Sequence, residues 1–412
     1  MSIDKSSHGV PVRQSTAPTA TLSARESADL LGVKPATLYT YVSRGLLRSL
    51  PAEDARSRRY LRAEVERLRA RSEAARGHGA AARGALGWGQ PVVDTAVGTV
   101  GPEGPIYRGV PAARLLQRGF EAACEQLWRP APPPGAWQQP VGARRCPGPP
   151  PDRPIAQLCA LVAERGLVLR WVEELDGTEL ARAAARLIRS AACALGATPE
   201  GPVAAALATG WGCAAAGADL DAALVWCADH ELNASTFAAR VAASTGAGLH
   251  AVVLAALATL SGPLHGGASR AVQSLFDAVS ASGCAEELVA EWQRRAAPLP
   301  SLGHPLYPDG DPRAQDLLDR AAAAGGPGWA PVEALLDTLV AQGQPPPDLD
   351  FGLAALCRAW GLPDGAPRAL FALGRMAGWV AHLQEQRALD QLIRPRARYI
   401  GPPVEEHAAP GG

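Results

Sequence analysis

From residue 155 to about 400 the chain is written almost wholly in helical periods. Segments 178–195, 201–217, 235–260, 266–282 and 366–391 are rich in Ala and Leu and are separated by Gly or Pro. Alanine has the highest helix propensity, and small side chains let helices approach closely. No alternation fit for a sheet occurs beyond a short extended stretch near Val92–Val100. No internal repeat of fixed period is present. Ten of the 25 residues from Pro130 to Pro154 are proline, which excludes regular helix there. The longest apolar run, Ala251 to Leu264, is too short to span a bilayer and contains Gly262 and Pro263. At 412 residues the chain has room for two to three domains of ~100–200 residues each.

Forty basic side chains balance 40 acidic ones. That neutrality hides a division. Thr21 to Ser72 carries eleven basic and six acidic residues, a net +5. Residues 1–20 add +1, so Glu73 to Gly412 carries −6. A basic head therefore precedes an acidic body. Residues 1–20 read as a disordered tail rich in Ser, Thr and Pro, with no apolar stretch of a secretory signal. Residues 21–75 form the head and 76–87 a Gly/Ala/Arg-rich linker, followed by the body over 88–405. The eight cysteines form no CxxC pair, so neither a zinc site nor a disulfide framework is signalled. Reduced thiols and a cytoplasmic location are expected.

In the head, Ser23 and Glu26 form a capping box that opens a helix with Ala24, Ala28, Leu30 and Leu31 on its apolar face. Gly32-Val33 ends it, and Pro35 suits the first turn of a second helix with Leu38, Tyr41 and Val42 inward. Arg56-Ser57-Arg58-Arg59-Tyr60 precedes a third helix, Arg62 to Ala75, with Val65 and Leu68 inward. The run Ala28-x-x-Leu31-Gly32-Val33-Lys34-Pro35-Ala36-Thr37-Leu38, with Arg44-Gly45-Leu46-Leu47, resembles the winged helix-turn-helix of the MerR and excisionase type. That resemblance implies a double-stranded DNA partner through residues 21–75. Thr37, Thr40 and Arg44 would face the groove, and Arg56, Arg58 and Arg59 would meet phosphate. A small interaction or dimerisation bundle would present the same basic surface.

Three of the eight histidines stand in unusual settings. His230 lies in Asp229-His230-Glu231-Leu232-Asn233-Ala234-Ser235. His265 lies in Gly262-Pro263-Leu264-His265-Gly266-Gly267, and His304 in Gly303-His304-Pro305-Leu306-Tyr307, ahead of Asp311-Pro312-Arg313. Glycine beside histidine lets a ligand approach closely. A neutral histidine donates a hydrogen bond without being a cation. No HxxxH or HExxH spacing joins the three, so no metal site is expected.

The segments DHELNASTFAARVAAST, SGPLHGGAS, GHPLYPDGDPRA, LDF and GRMAGWVAH followed by RPR, in this order, resemble the citrate synthase family. VVDTAVGTVGPEGPIYRGVP resembles that family's N-terminal strand-and-turn element, and the likeness runs from about Trp88 to Gly401. It implies an all-α fold of two subdomains, large and small, preceded here by the small winged helix-turn-helix domain. It also implies a homodimer that condenses acetyl-CoA or propionyl-CoA, as co-substrate, with oxaloacetate. Citrate or 2-methylcitrate and free CoA would result, an acyltransferase reaction with no permanently bound cofactor. Carried over by position, Asp350 matches the carboxylate that deprotonates the thioester methyl. His265 matches the histidine on the enolate oxygen, and His304 the one that polarises the keto carbonyl. His230 matches a further oxaloacetate-binding histidine. Arg313, Arg375 and Arg394 match the carboxylate clamps, where bidentate geometry matters; in the family the last reaches across from the second subunit. Phe351 favours Asp350 over Asp348, and Pro395 favours Arg394 over Arg396.

The pattern is departed from in three places. Pro305 follows His304 where arginine is usual, and Gly-His-Pro resembles the 2-methylcitrate synthases. Gly352-Leu353-Ala354 is apolar where a polar pair is usual, and the Pro-rich 130–154 replaces a helical hairpin. The alternative reading is a helix-turn-helix transcriptional regulator whose body senses oxaloacetate, citrate or CoA without turnover.

Overall fold

The computed structural model describes residues 93–139, 153–168, 175, 177–294, 298–363, 365–395 and 401. In the head it describes 21–31, 33–34, 37–38, 41–42, 47, 49–51, 58–62 and 65. The chain divides into two compact units, residues 1–94 with 394–412, and residues 95–393.

In the first unit β1 (Thr21–Ser23) leads into α1 (Ala24–Leu31), and β2 (Ser49–Pro51) and β3 (Arg58–Leu61) complete an antiparallel sheet of order β1-β3-β2. The capping box forms as its residue types dictate. Glu26 N–H donates to Ser23 Oγ at 3.2 Å, and Ser23 N–H donates to the Glu26 carboxylate at 2.7 Å. Ala28, Leu31, Leu38, Leu47, Tyr60 and Val65 make a small separate core. The sequence reading does not give this sheet its strands, because three- and four-residue strands are too short for alternation to register. Leu22 pairs with Tyr60, and Leu50 with Arg59.

The second unit opens on an antiparallel meander, β4 (Gly98–Gly101), β5 (Gly104–Tyr107) and β6 (Val110–Pro111). This is the extended element expected near Val92–Val100. Helices follow: α2 (Ala112–Leu115), α3 (Phe120–Leu127), α4 (Pro154–Val168), α5 (Gly177–Ala194), α6 (Val203–Gly210) and α7 (Gly217–Cys227). Then come α8 (Ala234–Ser244), α9 (Leu249–Leu260), α10 (Pro263–Gly266), α11 (Ala268–Ser282) and α12 (Ala285–Arg294). The last are α13 (Pro312–Ala324), α14 (Trp329–Ala341), α15 (Leu349–Ala359) and α16 (Ala366–Leu389). Two expected helices divide. The 235–260 segment breaks at Gly246, whose φ of 82° is left-handed, and 201–217 breaks around Gly212, φ 79°. Described residues 130–139 hold only a 3₁₀ turn at Ala136–Gln138, as the prolines require, with Trp137 stacked on Trp128.

The 24-residue α16 is the axis of this unit. It packs on α3, α4, α5, α7, α8, α9 and α15, and most of its residues are buried. Gly374 and Gly378, one turn apart, notch it against the end of α7. A Cβ on Gly374 would come within 2.7 Å of the Cys227 side chain, and one on Gly378 within 2.5 Å of the Ala228 carbonyl. Gly352, one of the apolar departures, serves the same end on α15. A Cβ there would stand 3.0 Å from the Ala314 backbone of α13. Among the described residues no helix is long and apolar enough to cross a membrane.

Candidate active site

Each candidate side chain of the second unit sits at a helix end or in a tight turn, save Arg375 within α16. After α7 the chain turns through Asp229 and His230, with Glu231 left-handed at φ 51°. Asn233 then caps α8, its side-chain oxygen accepting from Thr236 N–H at 3.1 Å. His265 lies in the four-residue α10. Asp311 caps α13, Arg313 is in its first turn, and Asp348 caps α15 by accepting from the Asp350 and Phe351 amides. That capping role separates the two aspartates: Asp348 is spent on the backbone, and Asp350 projects from the first turn.

His230 and His304 meet edge to face, with ring centroids 5.3 Å apart. His304 Nδ1 accepts from Leu306 N–H at 3.2 Å, so the neutral ring carries its proton on Nε2. Pro305 is exposed in the turn that bonds Tyr307 N–H back to the His304 carbonyl at 2.9 Å. Proline fits the second position of such a turn, which accounts for the Gly-His-Pro departure locally. On the other side His265 Nε2 lies 2.8 Å from Ser235 Oγ, and the Ser235 amide also points at it. These contacts leave Nδ1 as the protonated nitrogen of a neutral His265. Trp379 Nε1–H donates to the same hydroxyl at 3.3 Å. Phe371 stands edge-on to His265, and the Arg375 guanidinium lies 4.8 Å from the Phe371 ring centre.

The two arginines are fully enclosed. Arg375 Nε–H donates to the Cys227 carbonyl at 2.6 Å, while its Nη1 is buried with no protein partner. Arg313 turns its fork inward. Nε–H and Nη2–H donate to the two Asp311 oxygens at 2.9 and 2.7 Å. In this structure the bidentate partner of Arg313 is thus Asp311. Asp311 also accepts from Leu349 N–H at 3.1 Å, tying the start of α13 to the start of α15.

Electrostatics follow from this enclosure. Burial and the Arg375 charge push His265 down to about 4. Burial and Arg313 lower His304, and burial with Arg313 and Arg375 holds His230 far below the usual histidine range. All three are neutral at working pH. Burial and the neighbouring Asp348 push the Asp350 carboxyl up to about 7, against the pull of Arg313, Arg375 and a hydrogen bond with Ser269. The site thus gathers neutral histidines, a carboxyl raised by burial and by its neighbour Asp348, and two cations.

Arg394 lies outside this unit, exposed beyond the end of α16. In the head, Thr37 is helical and half-buried, and Arg58 and Arg59 are exposed on β3. Arg59 is also a staple of the sheet, donating from Nε and Nη2 to the Thr21 hydroxyl and carbonyl at 2.7 and 2.9 Å. Thr40, Arg44 and Arg56 lie outside the described residues. Sequence reasoning misses Ser235, Asp311 and Tyr307, the partners of His265, Arg313 and His230. Only their place inside the quoted motifs pointed to them. Among the described residues no group of three or more His, Cys, Asp or Glu could hold a metal ion.

Fold and site define an all-α protein in which a carboxyl raised by burial, three histidines and two enclosed arginines are gathered. The family described as "Citrate synthase, C-terminal domain" matches residues 182–396, just over half of the chain, and "Helix-turn-helix domain" matches 21–72. "Citrate synthase 2" of Bacillus subtilis is 36% identical over 197 residues, covering 45% of this chain and 53% of that protein. "2-methylcitrate synthase" of Shewanella oneidensis is 34% identical over 187 residues, covering 44% and 50%. The chain thus spans about half the length of the curated relatives it matches. Citrate synthase from Thermoplasma acidophilum, solved with carboxymethyl coenzyme A and oxaloacetate, superposes with a TM-score of 0.64 at 24% identity, covering 77% of this chain and 96% of that one. The enzyme from Pyrobaculum aerophilum gives 0.59 at 25% identity, covering 77% and 92%. The chain belongs to the citrate synthase family, and it carries a helix-turn-helix domain ahead of that body.

Proposed function

We propose that the body condenses a short acyl-CoA, acetyl- or propionyl-CoA, with oxaloacetate, releasing free CoA and citrate or 2-methylcitrate. One observation carries this reading: Asp350, whose carboxyl is pushed up by burial and by Asp348, is gathered with neutral His265 and His304 around buried Arg313 and Arg375. An ordinary carboxylate is a poor base for a thioester carbon acid, and burial raises its strength toward working pH. Asp350 takes the proton from the α-carbon. His265 Nδ1–H donates to the thioester oxygen as negative charge develops there. His304 Nε2–H donates to the keto oxygen, so that the new carbanion attacks an electrophilic carbon. Water then cleaves the thioester, giving the product carboxylate and CoA thiol. Arg375 Nη1 and the outer edge of Arg313 hold substrate carboxylates, with His230 beside them. Arg394 completes the site from a second copy in a homodimer. The chain's likeness to citrate and 2-methylcitrate synthases supports the substrate class. The test is release of free thiol when the purified chain meets oxaloacetate and each acyl-CoA in turn. Release with at least one is expected, and none with any would sink the reading.

The helix-turn-helix match over 21–72 and the exposed Arg58 support a second role, binding of duplex DNA by the head. A catalytic body and a DNA-binding head are compatible, and both suit a cytoplasmic protein.

A further inference from the structure

Tyr307 touches three of the groups on the keto-acid side of the cleft. Its hydroxyl lies 3.0 Å from His230 Nε2. Its ring centre is 5.1 Å from that of His304 and 5.7 Å from that of His230, and the Arg313 guanidinium carbon lies 5.2 Å from it. The side chain is only 3% exposed, and it is seated by the turn that also fixes the His304 ring. Burial pushes the phenol up to about 12, so it keeps its proton throughout the working range. His230 is neutral and carries a single ring proton. A hydrogen bond at Nε2 therefore fixes the rotation of the ring.

We propose that Tyr307 is the positioning residue for the keto-acid half of this site. Its hydroxyl orients His230, and its ring is the platform that spaces His304 and Arg313. The proposal rests on the condensing reading above and adds a residue that acts only through others. The platform explains why Pro305 is accommodated: the turn, rather than an arginine after His304, brings Tyr307 under the two imidazoles. It also explains how Arg313 holds its place once its fork is given to Asp311, since a guanidinium is attracted to an aromatic face.

The test compares Tyr307→Phe, which keeps the ring, with Tyr307→Leu, which removes both features. Steady-state thiol release separates the two KM values, calorimetry gives the oxaloacetate Kd, and ¹⁵N-histidine NMR reports the His230 tautomer. For Tyr307→Phe, the oxaloacetate KM and Kd rise about tenfold, roughly the worth of one lost hydrogen bond. The acyl-CoA KM is unchanged, and the His230 nitrogen signals move. Tyr307→Leu additionally lowers kcat, and only an aromatic replacement recovers it. Wild-type oxaloacetate affinity in Tyr307→Phe with unmoved His230 signals would overturn the proposal. So would an equal rise of both KM values, which marks general loosening. If the wild type itself releases no thiol, the condensing reading falls, and the His230 signals of Tyr307→Phe still decide the positioning role.

Discussion

Asp350 shows how the enclosure of one side chain sets both chemistry and stability. In the folded state its carboxyl is pushed up to about 7, whereas in the unfolded chain it titrates at about 3.9. Below about pH 4 both states hold the proton and the group is neutral in its effect. Between about 4 and 7 the unfolded state gives the proton up first, so stability falls as pH rises. Above 7 the full penalty of a buried carboxylate is present. An asparagine side chain in its place would carry no such penalty. Asp350→Asn is therefore expected to melt higher than wild type at pH 8, with the difference closing by pH 4; a gap independent of pH would argue against the raised carboxyl. His230, His265 and His304 were legible because glycine, proline or acidic neighbours flank them, and Asp350 through the likeness of its LDF segment to the citrate synthase family. Ser235 and Tyr307 were not, because what they do is touch a side chain 30 or 77 positions away, and such contact leaves no local pattern. Asp311 lies next to the arginine it holds, but along the chain it reads only as a helix cap.

At the scale of elements, the helices were written in the sequence and their breaks were partly so. Gly246 and Gly212 divide segments whose apolar content runs on without interruption. Which glycines mark a break and which a close approach is decided by tertiary packing. Gly374 and Gly378 lie inside α16 and break nothing; they admit the end of α7. Gly378→Ala gains up to about 1 kcal/mol of helix propensity. The added methyl meets the Ala228 carbonyl and the Asp229 carboxylate, both at 2.5 Å. Overpacking of this kind costs about 1–3 kcal/mol, so the packing effect wins. The urea midpoint of Gly378→Ala is expected to fall; a midpoint at or above wild type would mean that α16 slides without cost. The head's β-sheet was the element least legible, since its register depends on pairing between residues nearly forty positions apart.

The whole molecule joins a +5 head to a −6 body, and its zero net charge describes neither. If the head holds duplex DNA, binding releases counterions and weakens steeply with salt. A mobility shift with duplex DNA is expected to weaken by about tenfold or more between 50 and 200 mM salt, and Arg58→Ala is expected to flatten that dependence. No shift at low salt would leave the head as an interaction module. The body's claim is independent of this outcome. It concerns whether the enclosed acid between two arginines and two neutral histidines is a base for carbon. The most direct measurement is thiol release by Asp350→Ala with oxaloacetate and the preferred acyl-CoA, alongside calorimetric titration of oxaloacetate. Turnover is expected to fall by about 10²–10⁴-fold, the usual worth of a positioned base, while oxaloacetate binding stays within a few-fold of wild type. Turnover by Asp350→Ala at the wild-type rate would contradict the account.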